Sequence, residues 1–115
     1  MKITIRTPDF KAQRKLSNFV RANLVKLSAL SDRIIQGDVL LKLDKSDTKE
    51  DKICELRLSV PGTDLFASRQ SSTFEDAVLK CVEALDHQVR RWKDSINAGK
   101  LRGSATSFEP EEAPI

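Results

Sequence analysis

The stretch CELRLSVPGTDLFASR, residues 54–69, decides the fold. From Cys54 to Val60, apolar residues alternate with polar or charged ones, which is typical of a β-strand with one side in a core. Pro61-Gly62 suits the two central positions of a type II turn, because proline fixes φ at the first and glycine accepts the positive φ of the second. The pattern predicts a hairpin into a strand over residues 64–69. The sequence leaves open which pair of this strand faces inward: Leu65 with Ala67, or Phe66 with Ser68.

A long helix is predicted after the hairpin. The helix is predicted to start at Ser72 or Thr73. Each has an acidic residue three positions later, Glu75 and Asp76 respectively, which is the spacing of a capping box or close to it. Gly99 is its predicted end. Apolar residues three and four positions apart form one core-facing stripe: Phe74, Val78, Cys81, Val82, Leu85, Val89, Trp92 and Ile96. A second line of residues is predicted on the side of the helix that faces away from the core: Lys80, Ala84, His87 and Arg91.

Two strands and one helix are predicted before the hairpin. Residues 2–6 alternate, with Ile3 and Ile5 on the inward side. A second alternating stretch covers residues 34–43, where Gly37 indicates a bulge. The helix between these strands carries its own apolar stripe: Leu16, Phe19, Val20, Leu24, Leu27 and Leu30.

This first helix also concentrates the positive charge of the chain. Residues 10–31 contain no Asp or Glu, and their charge of +5 exceeds the +3 of the whole chain, which leaves −2 on the rest. Such a local patch attracts a polyanion, with the phosphates of RNA as the first candidate. The cations predicted to lie opposite the apolar stripe are Lys11, Arg14 and Arg21. The two predicted to lie on one flank of the helix are Lys15 and Lys26.

The predicted order is β-α-β-β-β-α, which is an α+β fold. A strand, helix and strand at the start require a crossover, which is normally right-handed, and the three later strands form an antiparallel meander. The result is a four-stranded mixed sheet with both helices on one face. Residues 1–98 form the predicted domain, and residues 99–115, rich in small residues, Pro and Glu, the predicted flexible tail.

Several classes of protein are disfavoured by the sequence. No apolar run is long enough to span a membrane, and the alternating start is unlike a signal peptide, so we expect a cytoplasmic protein. Cys54 and Cys81 lie among apolar neighbours and are predicted to be buried thiols. His87 is the only histidine, and no catalytic motif or phosphate loop is present. We therefore expect neither an enzyme nor a cofactor.

Short pieces in a particular order carry a family resemblance: Ile3-Thr4-Ile5, Lys26-Leu27, Arg33-Ile34 with Asp38-Val39, Val60-Pro61-Gly62, Ala77-Val78, Leu85, Gln88-Val89 and Arg90-Arg91-Trp92-Lys93. Over roughly residues 2–94, the chain resembles the ribosome hibernation promoting factor and ribosome-associated inhibitor family, also described as sigma-factor modulation or ribosomal subunit interface proteins. It departs from the family pattern at Thr73-Phe74-Glu75, where Asp-Met-Tyr is usual, and at Ala84 and His87, which replace a customary Lys and Arg.

The resemblance implies a fold and a function. Known members look like double-stranded-RNA-binding domains with an extra first strand, and they bind the small ribosomal subunit where messenger and transfer RNA otherwise sit. The implied action is occlusion of the decoding channel in nutrient-starved cells, by a protein that is monomeric when free and has no small-molecule substrate. The implied partners are the small subunit and its ribosomal RNA. The candidate RNA-binding residues are Lys11, Arg14, Lys15, Arg21, Lys26, Lys80, His87, Arg90, Arg91 and Lys93.

Other interpretations of the same residues stay open. Arg90 and Lys93 also suit the negative end of a helix dipole. Trp92 is placed in the core by its spacing, although aromatic residues stack on bases in RNA-binding modules. Two rival functions are a generic double-stranded-RNA binder and a protein-interaction module that uses the open sheet face, with Lys2, Thr4, Arg6, Arg57 and Ser59.

Overall fold

The computed structural model describes the backbone of residues 1–102 and the side chains of residues 1–96. Its elements follow the predicted order β-α-β-β-β-α. They are β1 (Lys2–Arg6), α1 (Arg14–Ser28), β2 (Gln36–Leu43), β3 (Lys52–Val60), β4 (Thr63–Ser71) and α2 (Phe74–Arg102).

The four strands form one mixed sheet in the order β1-β2-β3-β4. β1 pairs parallel with β2, and the two later pairings are antiparallel, which confirms that a crossover joins β1 to β2 and that β2, β3 and β4 form a meander. Both helices cover the same face of the sheet, where the apolar residues of all four strands meet the two helical stripes. The helices run parallel to each other, because the Phe10 ring before α1 stacks on Phe74 at the start of α2 and Leu30 after α1 lies at Lys93 near its other end.

The hairpin between β3 and β4 is the one that the sequence predicts. Val60 pairs with Thr63 across the turn, and Gly62 has a φ of 90°, a left-handed value that glycine adopts without steric cost. The open question about the next strand is resolved in favour of Leu65 and Ala67, which are both fully buried. The alternate residues of β4 therefore lie on the open face of the sheet.

Gly37 does not form the predicted bulge. β2 starts at Gln36, two residues later than predicted, and Gly37 pairs in unbroken register with Ile3 on one side and Leu58 on the other. A Cβ atom at this position would lie 2.9 Å from Cδ2 of Leu24. The glycine therefore lets α1 approach the sheet closely.

α1 starts later than its charge pattern suggests. Residues 10–13 precede the helix, and Gln13 is extended and makes no side-chain capping bond. Lys11 therefore does not lie on the helix. Its predicted position on the helix, opposite the apolar stripe, is wrong. The stacking of Phe10 on Phe74, with ring centroids 4.8 Å apart, holds this segment against the start of α2 instead.

α2 begins as predicted and continues further than predicted. The backbone N–H of Asp76 donates to Oγ1 of Thr73 over 3.1 Å, which makes Thr73 the N-terminal cap. The helix continues through Gly99 to Arg102, so the predicted end was wrong. One glycine inside a helix costs about 1 kcal/mol relative to alanine, which is too little to stop it. The rest of the predicted tail, residues 103–115, lies outside the described residues.

The predicted core stripe of α2 is confirmed: Val78, Cys81, Leu85, Val89 and Trp92 are buried, and Phe74, Val82 and Ile96 pack partly buried against them. Ala84, predicted on the far side, is half-buried and also touches the core. Both cysteines are buried thiols, as predicted. Cys81 donates through Sγ to the carbonyl of Cys54 over 3.1 Å. The hydrogen-bonding contact with Cys81 is the larger cause, and burial the next, of a raised pKa of the Cys54 thiol. Both thiols are therefore packing groups.

Candidate nucleic-acid interface

The cations of α1 lie on the two flanks of its solvent-facing side. The buried residues of the helix, which include Val20 and Leu27, mark the direction of the core. At about 100° per residue, Arg14 and Arg21 lie on one flank, whereas Lys15 and Lys26 lie on the other. Between the flanks runs an uncharged exposed line: Asn18, Ala22 and Val25. The predicted position of Arg14 and Arg21, directly opposite the core, is therefore wrong, whereas the flank position predicted for the two lysines is confirmed.

These cations, together with Lys11 before the helix, have no partner in the part of the chain whose side chains the structure describes. All five side chains are exposed. Within residues 1–96, none of them forms a hydrogen bond, an ion pair or a cation–π contact. Their charge is therefore available to an external anion. We call this group the α1 patch: Lys11, Arg14, Lys15, Arg21 and Lys26.

The cations of α2 differ because several already have partners. Lys80 Nζ lies 3.3 Å from Asp76 Oδ2, and Arg90 Nε lies 2.5 Å from Asp86 Oδ1. The hydrogen bond from Arg90 to Asp86 raises the pKa of the guanidinium. Lys93 donates through Nζ to the carbonyl of Leu30 over 2.7 Å. These cations would have to leave internal partners in order to bind RNA.

The fold brings the two sets of cations onto one side of the molecule. Since both helices cover the same face of the sheet, their outer sides form one continuous helical layer. His87 and Arg91 are exposed on α2 in that layer. Nine of the ten candidate residues therefore lie on the two helices, and Lys11 lies beside them in the preceding segment.

A sequence profile of the family described as sigma 54 modulation protein / S30EA ribosomal protein matches residues 3–97. The chain belongs to this family. The match covers all six elements of the fold from β1 to most of α2, including the α1 patch.

Two solved structures have the same fold. The N-terminal domain of Protein Y from Thermus thermophilus superposes with a TM-score of 0.70 at 19% identity, over 80% of this chain and 99% of that domain. A ribosomal subunit interface protein from Coxiella burnetii superposes with a TM-score of 0.73 at 18% identity, over 82% of this chain and 99% of the other. A comparison with curated protein sequences returned no match. Among the described residues, no helix is long and apolar enough to cross a bilayer.

In this member of the S30EA family, Trp92 is not available for stacking on a base. Its side chain is only 2% exposed and packs among the core residues of α2. The prediction from its helical spacing, that Trp92 belongs to the core, is confirmed.

The open face of the sheet differs in charge from the helical layer. Lys42 Nζ lies 3.1 Å from Glu55 Oε2, and Arg57 Nη1 lies 3.5 Å from Asp64 Oδ2. The Arg57 guanidinium also lies 5.2 Å from the centroid of the Phe66 ring. Charges of both signs therefore neutralise each other here, whereas Lys2 and Arg6 on β1 are exposed.

One structural role was missed by the sequence reasoning. Gln88 is 3% exposed, and its side-chain amide forms two hydrogen bonds to the backbone of Phe66: Nε2 donates to the carbonyl over 2.8 Å, and Oε1 accepts from the N–H over 3.3 Å. Gln88 thereby satisfies backbone groups on the outer edge of β4. The signal was a polar residue on the buried side of a helix, because buried amides need partners.

Proposed function

We propose that the chain is a ribosome hibernation factor that binds the small ribosomal subunit at the decoding channel and blocks messenger and transfer RNA. The observation that carries this proposal is the α1 patch, five exposed cations on one side of the fold that have no partner among residues 1–96. Membership of a ribosome-associated family supports it. The protein acts by occupying space, so no bond is made or broken and no cofactor or small-molecule substrate takes part.

Phosphate contacts explain how such a factor is held. Each lysine or arginine that neutralises a phosphate releases condensed counterions, so affinity falls steeply as salt rises. The α1 patch can do this without breaking any ion pair within residues 1–96. Lys80 and Arg90 must first exchange Asp76 and Asp86 for a phosphate, which reduces their net gain. We therefore assign the main contacts to α1 and a secondary role to α2.

The test is binding to purified small ribosomal subunits by co-sedimentation over a range of salt concentrations. Arg14→Glu/Arg21→Glu should abolish binding at low salt or, where binding remains measurable, reduce the log–log salt slope by about two, about one for each contact. The matched control is Lys2→Glu/Arg6→Glu, which makes the same change in net charge on the open sheet face. An equal loss in both variants would show that only net charge matters, and unchanged binding in the α1 variant would end the proposal.

Two rival functions are separate outcomes of this experiment. If a short RNA duplex competes as well as the small subunit does, the protein is a generic binder of double-stranded RNA. If affinity does not depend on salt, the partner is a protein, and the open sheet face becomes the candidate surface. The hibernation proposal requires that subunits outcompete the duplex, with the free protein monomeric and in the cytoplasm, where ribosomes are.

A further inference from the structure

The sequence after α2 is the chemical opposite of the α1 patch. Residues 103–115 contain no Lys or Arg, and their charged residues are Glu109, Glu111 and Glu112, with Phe108 directly before them. We propose that this acidic segment docks on the C-terminal half of α1, over Arg21 and Lys26, and competes there with RNA. The inference rests on the proposed function, because it describes how the same surface is regulated.

The C-terminal half of α1 has the surface that such a segment needs. Lys26 is the basic residue of its last turn, and neither Lys26 nor Arg21 has a partner among residues 1–96. Val25 lies between these two flanks and is 57% exposed, the second most exposed large apolar side chain of the described part of the chain. Glutamates next to a phenylalanine complement cations next to an exposed valine.

The length of the chain permits the contact on this half of α1. Lys93 contacts the carbonyl of Leu30, and α2 continues for nine more residues to Arg102, or about 14 Å at the rise of an α-helix. With parallel axes about 10 Å apart, the end of α2 lies about 22 Å from Lys26 and about 29 Å from Arg21. The backbone from Arg102 spans at most about 25 Å to residue 109 and about 36 Å to residue 112.

The same geometry disfavours the other half of the patch. Arg14 lies about 39 Å from the end of α2, slightly more than the roughly 36 Å that the fully extended backbone spans to residue 112, so a contact there would need an almost completely extended chain. The segment therefore shields Arg21 and Lys26 in preference to Arg14 and Lys15, which stay available to make a first contact with RNA. Because exposed ion pairs are individually weak, a multivalent phosphate backbone can displace the segment.

Binding to purified small ribosomal subunits tests the competition. Replacing the three glutamates with glutamine, E109Q/E111Q/E112Q, should raise affinity about threefold to tenfold at about 50 mM salt, and the gain should shrink at about 200 mM salt. In an Arg21→Gln/Lys26→Gln background, the same three substitutions should change nothing. In an Arg14→Gln/Lys15→Gln background, which has the same net charge, the gain should persist.

A measurement without RNA keeps this inference separate from the proposed function. A carbodiimide that joins touching carboxylates and amines should cross-link Lys26 to residues 109–112 within one chain, and much less often Lys15. An absent cross-link, or an equal gain of affinity in both backgrounds, overturns the docking. If no variant binds subunits but the cross-link forms, the proposed function fails while the contact stands.

Discussion

Replacing Gln88 with leucine removes the side-chain amide that closes the edge of β4 and keeps a similar volume in the core. Two hydrogen bonds to the backbone of Phe66 are lost. A typical intramolecular hydrogen bond contributes about 0.5–1.5 kcal/mol net, so the free energy of unfolding should fall by about 1–3 kcal/mol. Phe66 is 37% exposed, so water can reach its backbone in part, and the lower half of this range is expected.

Thermal and urea unfolding measure this change directly. For a domain of this size, a loss of 1 kcal/mol lowers Tm by about 4–8 °C. The matched control is Gln70→Leu, the same substitution at an exposed residue of β4 whose amide contacts Asp44 and the carbonyl of Glu50. Exposed contacts are worth less, so the control should lose under about 1 kcal/mol.

Amide hydrogen exchange separates the edge contact from a general loss of packing. The N–H of Phe66 should exchange slowly in the wild-type protein and much faster in Gln88→Leu, whereas exchange at Ala67, which pairs with β3, should rise only by the loss of global stability. Equal stability of Gln88→Leu and the wild type, or unchanged exchange at Phe66, would refute the assignment of Gln88 to the β4 edge.

Three further predictions follow from the core and from the carboxylates. The hydrogen bond that Ser71 donates, and then the one from Lys80, lower the pKa of the Asp76 carboxyl in the folded protein. The ionised carboxylate therefore stabilises the fold at a pH above the ordinary aspartate pKa, and this stabilisation is lost as the pH falls from there through the lowered pKa. Asp76→Asn should flatten the acid end of a plot of Tm against pH. Leu24 is fully buried between α1 and the sheet, so Leu24→Ala should cost about 2–5 kcal/mol in urea unfolding, and a loss under about 1 kcal/mol would contradict this packing. Cys54 and Cys81 should resist a thiol reagent in the native protein and react only on unfolding, which a colorimetric titration checks and fast native labelling would contradict.

The charges of α2 carry a pairing signal that is already present in the sequence. Asp76 with Lys80, and Asp86 with Arg90, are four residues apart on one helix, which is the spacing at which opposite charges pair. The sequence alone could therefore have separated these cations from those of α1, where residues 10–31 contain no acid. The bond from Lys93 to the carbonyl of Leu30 joins residues 63 apart in the chain, and no local pattern indicates it.

Local periodicity determined the order of the elements and the inward faces of β3 and α2, because alternation over residues 54–60 and the three-and-four spacing of α2 are properties of neighbouring residues. The inward face of β4, the close approach at Gly37 and the edge contact of Gln88 were decided only by tertiary structure. Either face of β4 is locally acceptable, and pairing with β3 under α2 selects the one with Leu65 and Ala67. Contacts between distant segments depend on which surfaces meet in three dimensions, and the pattern within each segment does not contain that information.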